Sequence, residues 1–449
     1  MSLPSSTCAL IVGAGPTGLA AALSLIHHGF RDFVIVDAVT QGENGSRAIF
    51  LHAATLETLD TIGCGDELVS KGSKWTYVTQ ATRTTIIAQI PFARLKPYTR
   101  HPYGLIIPQV LTEQILGQKL ASLGVSVHRP YRVVGMKPNS NDAKFADVTF
   151  EDGQVITAKY IIAADGAHST IRAIAGINFT DPTSENNNAV LEHIAQADVT
   201  FDDENVDGSV TRGIMCPENF FLCAPLPSML NEYHATTTGQ TVKERIFRIS
   251  VGVTGDVPRT PSKEYTQNLV DKYGPVELSS DPSVNPSGKS VHIKDIIWYS
   301  RFRTRSAVAD SFFTRLRTGD SDQGAAILLV GDAAHIHSPA GGQGMNLGLR
   351  DAIFLGEVLT RHINAAETGS LSDVDTILTS FMAERRSLAL EVIAFTKRIL
   401  FVAGIKDENI AWWLPISKMA LRNFLLLVLG NLWFVQTSAV WSLSGLGRR

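Results

Sequence analysis

The stretch Ala9-Leu-Ile-Val-Gly-Ala-Gly-Pro-Thr-Gly18 decides the fold of this 449-residue chain. Its first four residues form a short apolar run, bounded by glycine, that is typical of a buried parallel strand. In the pattern that follows, Gly13 makes a tight turn, Gly15 lets the backbone approach a pyrophosphate, and Gly18 lets a helix pack closely on the strand. The start of that helix offers free N–H groups and a positive dipole end to phosphate. The sequence therefore predicts a dinucleotide-binding turn formed by Gly13, Gly15, Pro16, Thr17 and Gly18.

The residues after this turn complete a strand–helix–strand unit of about thirty residues. Apolar residues recur at helical spacing up to Gly29, a left-handed stop signal, and Phe33-Val-Ile-Val36 reads as the second strand. Asp37 follows this strand, 24 residues after Gly13. Its carboxylate is placed to accept hydrogen bonds from ribose hydroxyls, which favours an adenosine without a 2′-phosphate.

Two more apolar runs are each followed by a turn that contains one glycine and one aspartate. Val155–Ala164 leads into Asp165-Gly166, and Ala326–Val330 leads into Gly331-Asp332. Ligands of open α/β sheets bind at the carboxyl ends of the strands, so these turns should meet the first one. An acid after a buried strand is costly without partners, and ribityl or phosphate groups would supply them for Asp332.

A glycine-rich segment follows the last of these turns. Gly341, Gly342 and Gly344 allow bare backbone to lie against a flat ligand, and a helix beginning near Gly344 would direct its first N–H groups at it. A reduced flavin carries negative charge that such a helix end stabilises. The separated motifs together predict an FAD site.

The bulk composition excludes several other classes of protein. The formal net charge of −3 lacks the basic excess of a nucleic-acid-binding surface. The four cysteines have neither metal-ligand spacing nor the density of a disulfide scaffold, so we expect buried thiols, no metal site and a cytoplasmic location. Because no charged and apolar leader precedes the first strand, we also expect no cleaved signal.

The uncharged stretch from Asn423 to Gly447 allows several interpretations. It is apolar, but Asn, Gln, Thr and Ser residues interrupt it, whereas a membrane span needs about 20 mostly apolar residues. A helix packed on the body is the preferred interpretation. A C-terminal helix that contacts a membrane surface or a partner, and a true span, are the alternatives.

We expect an α/β fold in which a Rossmann-type FAD-binding domain is interleaved with an antiparallel β-sheet substrate domain. Alternating apolar and polar residues with scattered Pro and Gly indicate the second domain. The predicted boundaries assign residues 1–75, 103–182 and 300–370 to the FAD-binding domain, 76–102 and 183–299 to the β domain, and 371–449 to a C-terminal helical segment.

With these motifs in place, the chain resembles the class A flavoprotein monooxygenases, the group of p-hydroxybenzoate and phenol hydroxylases. The resemblance covers most of residues 8–182 and 297–352, and is looser between them. It implies FAD reduced by NADPH or NADH, reaction with O2 to a flavin C4a-hydroperoxide, and hydroxylation of a small aromatic, phenolic substrate. Homodimerisation is compatible with it but not specified.

The resemblance also implies roles for individual residues. Asp332 would contact the ribityl and pyrophosphate region, Met345 and Asn346 the pyrimidine ring, and the Pro339 carbonyl the substrate side of the flavin. The remaining implied cofactor-binding residues are Arg47, Gln109, Asp165, Gly166, Arg172, Gly331, Gly342 and Gly344.

Departures from the family concern the substrate. Leu226 stands where p-hydroxybenzoate hydroxylase has its benzoate-anchoring arginine, and Ile49 where phenol hydroxylases have an aspartate. His52 is the first candidate for the base that ionises a phenol, against a structural role for this histidine. Tyr233, His234 and Tyr299 are further pocket candidates, and Phe220, Phe221 and Leu222 suggest apolar pocket walls.

Two alternatives differ in chemistry or class. A Baeyer–Villiger or epoxidising monooxygenase would use the same scaffold, and product analysis separates it from a hydroxylase. A non-catalytic escort protein of the Rab-GDP-dissociation-inhibitor kind retains an N-terminal glycine motif, but the glycine-rich loop at 339–346 speaks against it.

Overall fold

A computed structural model describes residues 3–40, 47–182, 191, 193–208, 211–216, 219–255, 257–316, 324–367, 371–411 and 413–448. The predicted α/β class is confirmed. The helices are α1 Pro16–His27, α2 Ala53–Thr61, α3 Gly65–Lys71, α4 Gln109–Ser122, α5 Thr170–Ile174, α6 Met229–Thr237, α7 Lys263–Tyr273, α8 Gly344–Ala365, α9 Leu371–Ala403, α10 Lys418–Leu429 and α11 Trp433–Ser444.

The strands divide among several sheets. They are β1 Ser6–Val12, β2 Phe33–Val36, β3 Phe50–Leu51, β4 Ser73–Trp75, β5 Tyr77–Ala81, β6 Ile86–Pro91, β7 Gly104–Ile106, β8 Val133–Pro138, β9 Ala146–Phe150, β10 Val155–Ala163, β11 Phe179–Thr180, β12 His193–Phe201, β13 Arg212–Cys216, β14 Asn219–Pro225, β15 Phe247–Val253, β16 Ile293–Arg303, β17 Ala307–Ala309, β18 Phe313–Arg315, β19 Ala326–Leu329, β20 His335–Ile336, β21 Asn409–Ala411 and β22 Leu414–Ser417.

The first sheet brings the three predicted turns to one edge. Its strand order is β18-β19-β10-β1-β2, and β19, β10, β1 and β2 run parallel. The carboxyl ends of β1, β10 and β19 are therefore neighbours, although about three hundred residues separate the first from the last. Helices α1 and α8 pack together on this sheet, where the Ser24 hydroxyl donates to the carbonyl of Ile353 at 2.5 Å.

The strands of the first sheet consist almost wholly of buried aliphatic residues. Leu10 and Ile11 have no exposed surface, and the β19 residues are buried throughout. Burial of such side chains stabilises the fold by about 1.5–3 kcal/mol each. The apolar run that predicts a parallel strand is thus also the core on which the turn rests.

The second sheet has the order β16-β12-β15-β14-β13-β5-β6. Its pairs are antiparallel except β13 with β5, which run parallel. One face packs in a separate hydrophobic core that includes Phe221, Ile249 and Val251, while the opposite face turns towards the edge of the first sheet. Strand β16 continues to Arg303, beyond the predicted boundary at 299. The predicted boundaries at 183 and 370 fall in 183–190 and 368–370, outside the described residues.

The uncharged stretch from Asn423 to Gly447 does not form the single helix that the sequence suggested, but is divided between α10 and α11. Helices α10 and α11 meet at a bend of 103°, at a break that contains Gly430 and Asn431, both poor helix formers. Within the described part of the chain, no single helix has both the length and the apolar composition of a span; only this bent pair reaches them together. Helix α11 packs on the body, as expected for the tail, with Val440 in a small core beside Phe92 and Leu95.

Candidate functional site

A single cavity of about 2070 Å³ lies where the carboxyl ends of β1, β10 and β19 face the second sheet. Pockets for one drug-sized molecule measure about 300–1,000 Å³, so this cavity has room for a large ligand and a second, smaller one. It brings together most of the predicted site residues: Gly13, Gly15, Pro16, Thr17, Asp37, Arg47, Gln109, Asp165, Gly166, Arg172, Asp332, Pro339, Gly342, Gly344 and Met345. It does not include Gly18, Gly331, Asn346 and His52, which lie behind its wall.

The three glycines of the first turn differ in the space that surrounds them. Gly13 has a φ of +102°, and a Cβ there would lie 2.3 Å from the carbonyl oxygen of Ala164. A Cβ on Gly18 would lie 1.8 Å from the carbonyl oxygen of Gly13, so only glycine lets α1 start this close to β1. A Cβ on Gly15 would meet nothing within 4 Å, because that position faces the open cavity.

Asp37 holds the second strand of this unit against the turn. Its carboxylate accepts hydrogen bonds from the N–H of Ala14 at 2.6 Å and of Val39 at 2.9 Å. Arg129 forms an ion pair with it at 3.1 Å. The carboxylate is therefore fixed at the cavity wall, where its remaining lone pairs can accept from a ligand hydroxyl.

Asp165 and Arg172 connect the second turn to the third. One carboxylate oxygen of Asp165 accepts from the N–H groups of Thr170 and Ile171, at 2.8 and 3.2 Å, at the start of α5. The other is buried without a partner among the described residues, and burial raises the pKa of this carboxyl. Arg172 donates to the carbonyl of Ala333 at 2.8 Å, next to the third turn.

Asp332 presents its carboxyl to the cavity itself. The Asp332 side chain is exposed to the open cavity. The protein around it reduces the hydration of the carboxyl and so raises its pKa, although His335 and Arg47 act in the opposite direction. A carboxylate in such a place gains most from ligand hydroxyls that donate to it.

Asn346 and His52 shape the glycine-rich loop from behind. Asn346 accepts from the N–H of His52 at 2.8 Å and donates to the carbonyls of Phe50 at 2.8 Å and Gly342 at 2.6 Å. The His52 ring nitrogen Nε2 lies 2.8 Å from the carbonyl oxygen of Gly341. Left-handed φ angles of +76° and +61° at Gly341 and Gly342 turn the loop towards the cavity.

His52 therefore does not stand where a base for the substrate would act. Its side chain is 1% exposed and not part of the cavity wall, and burial lowers the pKa of the ring to about 4. The neutral ring donates through Nε2 to the Gly341 carbonyl, which is the structural alternative considered for this residue. Pro339 does line the cavity, and its carbonyl accepts from the N–H of Gly342 at 3.0 Å.

Gln109 lies at the cavity wall beside a buried acid. Its amide donates to Glu113 at 2.8 Å and accepts from the N–H of Ala48 at 3.4 Å. Burial raises the pKa of Glu113 to about 7. The amide is thereby held in position next to Arg47, which also lines the cavity.

The part of the wall beside the glycine-rich loop comes from helices whose role in the site the sequence did not predict. The end of α9 contributes Phe395 and Ile399, and α11 contributes Phe434, Val435 and Leu443. Their apolar spacing along the two helices was visible in the sequence but is equally typical of core packing. Tyr233, His234 and Tyr299 do not line the cavity; Tyr299 is exposed and its hydroxyl lies 3.3 Å from that of Thr260.

Comparison with known proteins agrees with this geometry. The chain matches a family model described as FAD binding domain over residues 6–273 and 279–396. It is 29% identical over 393 residues to the 12-dehydrotetracycline 5-monooxygenase/anhydrotetracycline 6-monooxygenase of Streptomyces rimosus, a match that covers 86% of this chain and 68% of the relative. It is 31% identical over 428 residues to an uncharacterised aromatic compound monooxygenase of Bacillus subtilis, covering 90% of this chain and 72% of that one.

A solved structure shows the same architecture. The p-nitrophenol 4-monooxygenase of Pseudomonas putida superposes with a TM-score of 0.73 at 21% identity, over 99% of this chain and 100% of that one. At this level of identity the likeness concerns the fold.

Proposed function

Because this chain belongs to the FAD binding domain family and its relatives are FAD-dependent aromatic monooxygenases, we propose that its cavity holds FAD and an aromatic, phenolic substrate together. The observation that carries the proposal is the convergence of three separated turns on one cavity. The chain is an FAD-dependent monooxygenase that takes electrons from NADPH or NADH and oxygen from O2.

The residues present fit this cofactor. The open space in front of Gly15 and Gly166, where a Cβ would meet nothing within 4 Å, suits a pyrophosphate lying against bare backbone. Asp37 would accept from the adenosine ribose and Asp332 from the ribityl chain, while Arg47 would pair with the pyrophosphate. Gly342, Gly344 and Met345 would lie along the isoalloxazine.

Each part of the site then has a task in the reaction. Bound FAD, once reduced, supplies the chemistry that activates O2 for transfer to an electron-rich ring. The first turn of α8 would direct its N–H groups at the negative charge of the reduced cofactor. The apolar residues of α9 and α11 would exclude water from the part of the cavity beside the glycine-rich loop.

This assignment gives each sheet a role. We propose that residues 1–75, 103–182 and 300–370 form the interleaved Rossmann-type FAD-binding domain around the first sheet. Residues 76–102 and 183–299 would form the substrate domain around the second. The C-terminal segment 371–449 would close the cavity, since α9 and α11 contribute to its wall.

The function is tested on the purified protein. We expect a yellow protein whose FAD is released by acid, and NADPH or NADH oxidation that phenols stimulate. Isotopically labelled oxygen should appear as one hydroxyl on the product ring. A colourless protein that gains nothing from added FAD would contradict the proposal, and a labelled ester or epoxide would replace hydroxylation by the Baeyer–Villiger or epoxidising alternative.

We further propose that the α10–α11 pair contacts a membrane surface. Phe424, Trp433 and Phe434 are 59%, 66% and 55% exposed, and the stretch from Asn423 to Gly447 carries no charge. Exposed aromatic side chains on apolar helices favour the interface between headgroups and acyl chains. Phe434 also lines the cavity, so an apolar substrate could enter it from the lipid side.

The membrane contact predicts sedimentation of the protein with phosphatidylcholine vesicles. Trp433→Ser with Phe434→Ser should reduce the bound fraction several-fold, because two interfacial aromatic anchors are lost. The matched control is Val155→Ser, at an exposed apolar position on β10. Equal binding by all three proteins, or a homodimer in solution that buries this face, would count against the proposal.

The state of the cysteines indicates the compartment in which the protein works. Those of the described residues, Cys8, Cys64, Cys216 and Cys223, are all unpaired, and the last three are buried. Free buried thiols are typical of a reducing compartment, so we propose that the protein works on the cytoplasmic side of the membrane.

A further inference from the structure

A row of polar side chains crosses the face of the second sheet that forms the cavity wall. Gln196 of β12 lies directly opposite Ser250 of β15 on one side and Ser300 of β16 on the other. The same row continues through Leu222 and Gly213 to Gln80 of β5, and all of these residues line the cavity. Ser300, Gln196, Ser250 and Gln80 are called the polar row here.

The two central members of the polar row lack partners. Gln196 is 9% exposed and Ser250 3% exposed, yet neither the Gln196 amide oxygen nor the Ser250 hydroxyl has a hydrogen-bond partner among the described residues. Buried polar groups in native proteins are nearly always hydrogen-bonded, so two adjacent exceptions call for an explanation. A ligand in the cavity supplies one, since an amide and a hydroxyl can each donate or accept.

The rows on either side indicate what kind of ligand fits. On one side of the polar row the cavity wall is apolar. It is formed there by Ile194, two residues before Gln196, by Phe220, two residues before Leu222, and by Phe302, two residues after Ser300. An aromatic ring would pack against these side chains while its edge reached the polar row.

On the other side of the polar row lie two opposite charges that pair with each other. They are Asp198, two residues after Gln196, and Arg248, two residues before Ser250. Arg248 donates to both carboxylate oxygens of Asp198, at 2.5 and 2.9 Å, and both residues are fully buried. Its third donor bonds the carbonyl of Arg47 at 3.0 Å. The Arg248 guanidinium is thus engaged by Asp198, so the side chains of the polar row itself, which are neutral, are the ones available to bind a ligand there.

We infer that Gln196 and Ser250, assisted by Ser300, form the subsite that binds the hydroxyl-bearing edge of an uncharged aromatic substrate. The inference rests on the proposed function, because it places the ring of the substrate in the same cavity as FAD. It adds the residues and the chemical class of the ligand.

The test measures binding to the FAD-loaded protein through changes in flavin absorbance. The probes are resorcinol, resorcinol dimethyl ether and the anion of β-resorcylic acid. The unmodified protein should bind resorcinol more tightly than either of the others. The ether cannot donate a hydrogen bond, and beside the polar row the carboxylate would meet Arg248, whose guanidinium is already paired with Asp198.

Two variants remove the proposed contacts one at a time. Gln196→Leu and Ser250→Ala should each weaken resorcinol binding by about tenfold, and leave binding of the dimethyl ether within about twofold. Neither should lower the Tm of the ligand-free protein, because the polar atoms removed have no partner in the part of the chain that the structure describes. Gln89→Leu, an exposed position on β6 outside this cavity, is the matched control and should change neither quantity.

The outcomes separate this inference from the proposed function. Equal binding of resorcinol and its ether by the unmodified protein, or tighter binding of β-resorcylate, would overturn the subsite while FAD content and NADPH oxidation stayed intact. A fall in Tm for Gln196→Leu with an unchanged ratio of resorcinol to ether binding would show a structural role instead. Failure of the unmodified protein to bind FAD would contradict the proposed function itself.

Discussion

Replacing Asp332 by asparagine should leave the purified protein largely without flavin. The carboxylate faces the cavity at the end of β19, in surroundings that raise its pKa, so it depends on hydroxyl donors from the ligand. Charge-assisted hydrogen bonds contribute about 1.5–3 kcal/mol, and their loss should weaken FAD binding about 10- to 100-fold. Flavin absorbance per protein and titration of the apoprotein with FAD measure the change.

The matched control for this substitution is Asp295→Asn. Asp295 is exposed on β16 and does not line the cavity, so the same chemical change there should leave the flavin content unaltered. Full flavin occupancy in Asp332→Asn, with an affinity equal to that of the control, would remove the proposed role of Asp332.

Replacing Gly18 by alanine should destabilise the protein as well as empty it of FAD. The added Cβ would stand 1.8 Å from the carbonyl oxygen of Gly13, and a backbone atom cannot yield as a flexible side chain does. Helix α1 must therefore shift away from β1, which we expect to lower the free energy of unfolding by about 1–3 kcal/mol or more. Urea denaturation of the apoprotein measures this loss.

Two other glycines provide the comparison. Gly15→Ala adds a Cβ that meets no protein atom, so the apoprotein should keep its stability while the methyl group obstructs the pyrophosphate. Gly117→Ala lies within α4 with equally free space, and should stabilise by about 0.5–1 kcal/mol without affecting FAD. If Gly18→Ala unfolded at the same urea concentration as Gly15→Ala, the packing role of Gly18 would be wrong.

Most of the predicted cofactor residues meet because topology brings them together, and topology follows from local signals. Apolar runs that end in Gly13, Asp165 and Gly331 predict parallel strands, and the carboxyl ends of parallel strands share one edge. That argument needs no knowledge of side-chain positions. The same argument cannot assign the role of His52, because that role depends on the direction in which its imidazole ring points.

The substrate side could not be read in the same way. Gln196 and Ser250 are ordinary polar residues in an alternating stretch, and nothing local marks them as neighbours. The C-terminal helices carry apolar residues whose spacing fits core, membrane and cavity wall alike. Only their packing shows that α11 lies on Phe92 and Leu95 while Phe434 reaches the cavity.

The amino-acid sequence by itself determined the class of fold, the cofactor turn and the edge of the sheet where the turn lies, because glycine geometry and strand burial are local properties. The tertiary structure alone decided that His52 braces the glycine-rich loop, that the tail is a bent pair of helices, and that an unpartnered amide and hydroxyl face the cavity. These depend on contacts between residues far apart in the chain, such as those of Asn346 with Phe50, and no local pattern encodes the direction of such a contact.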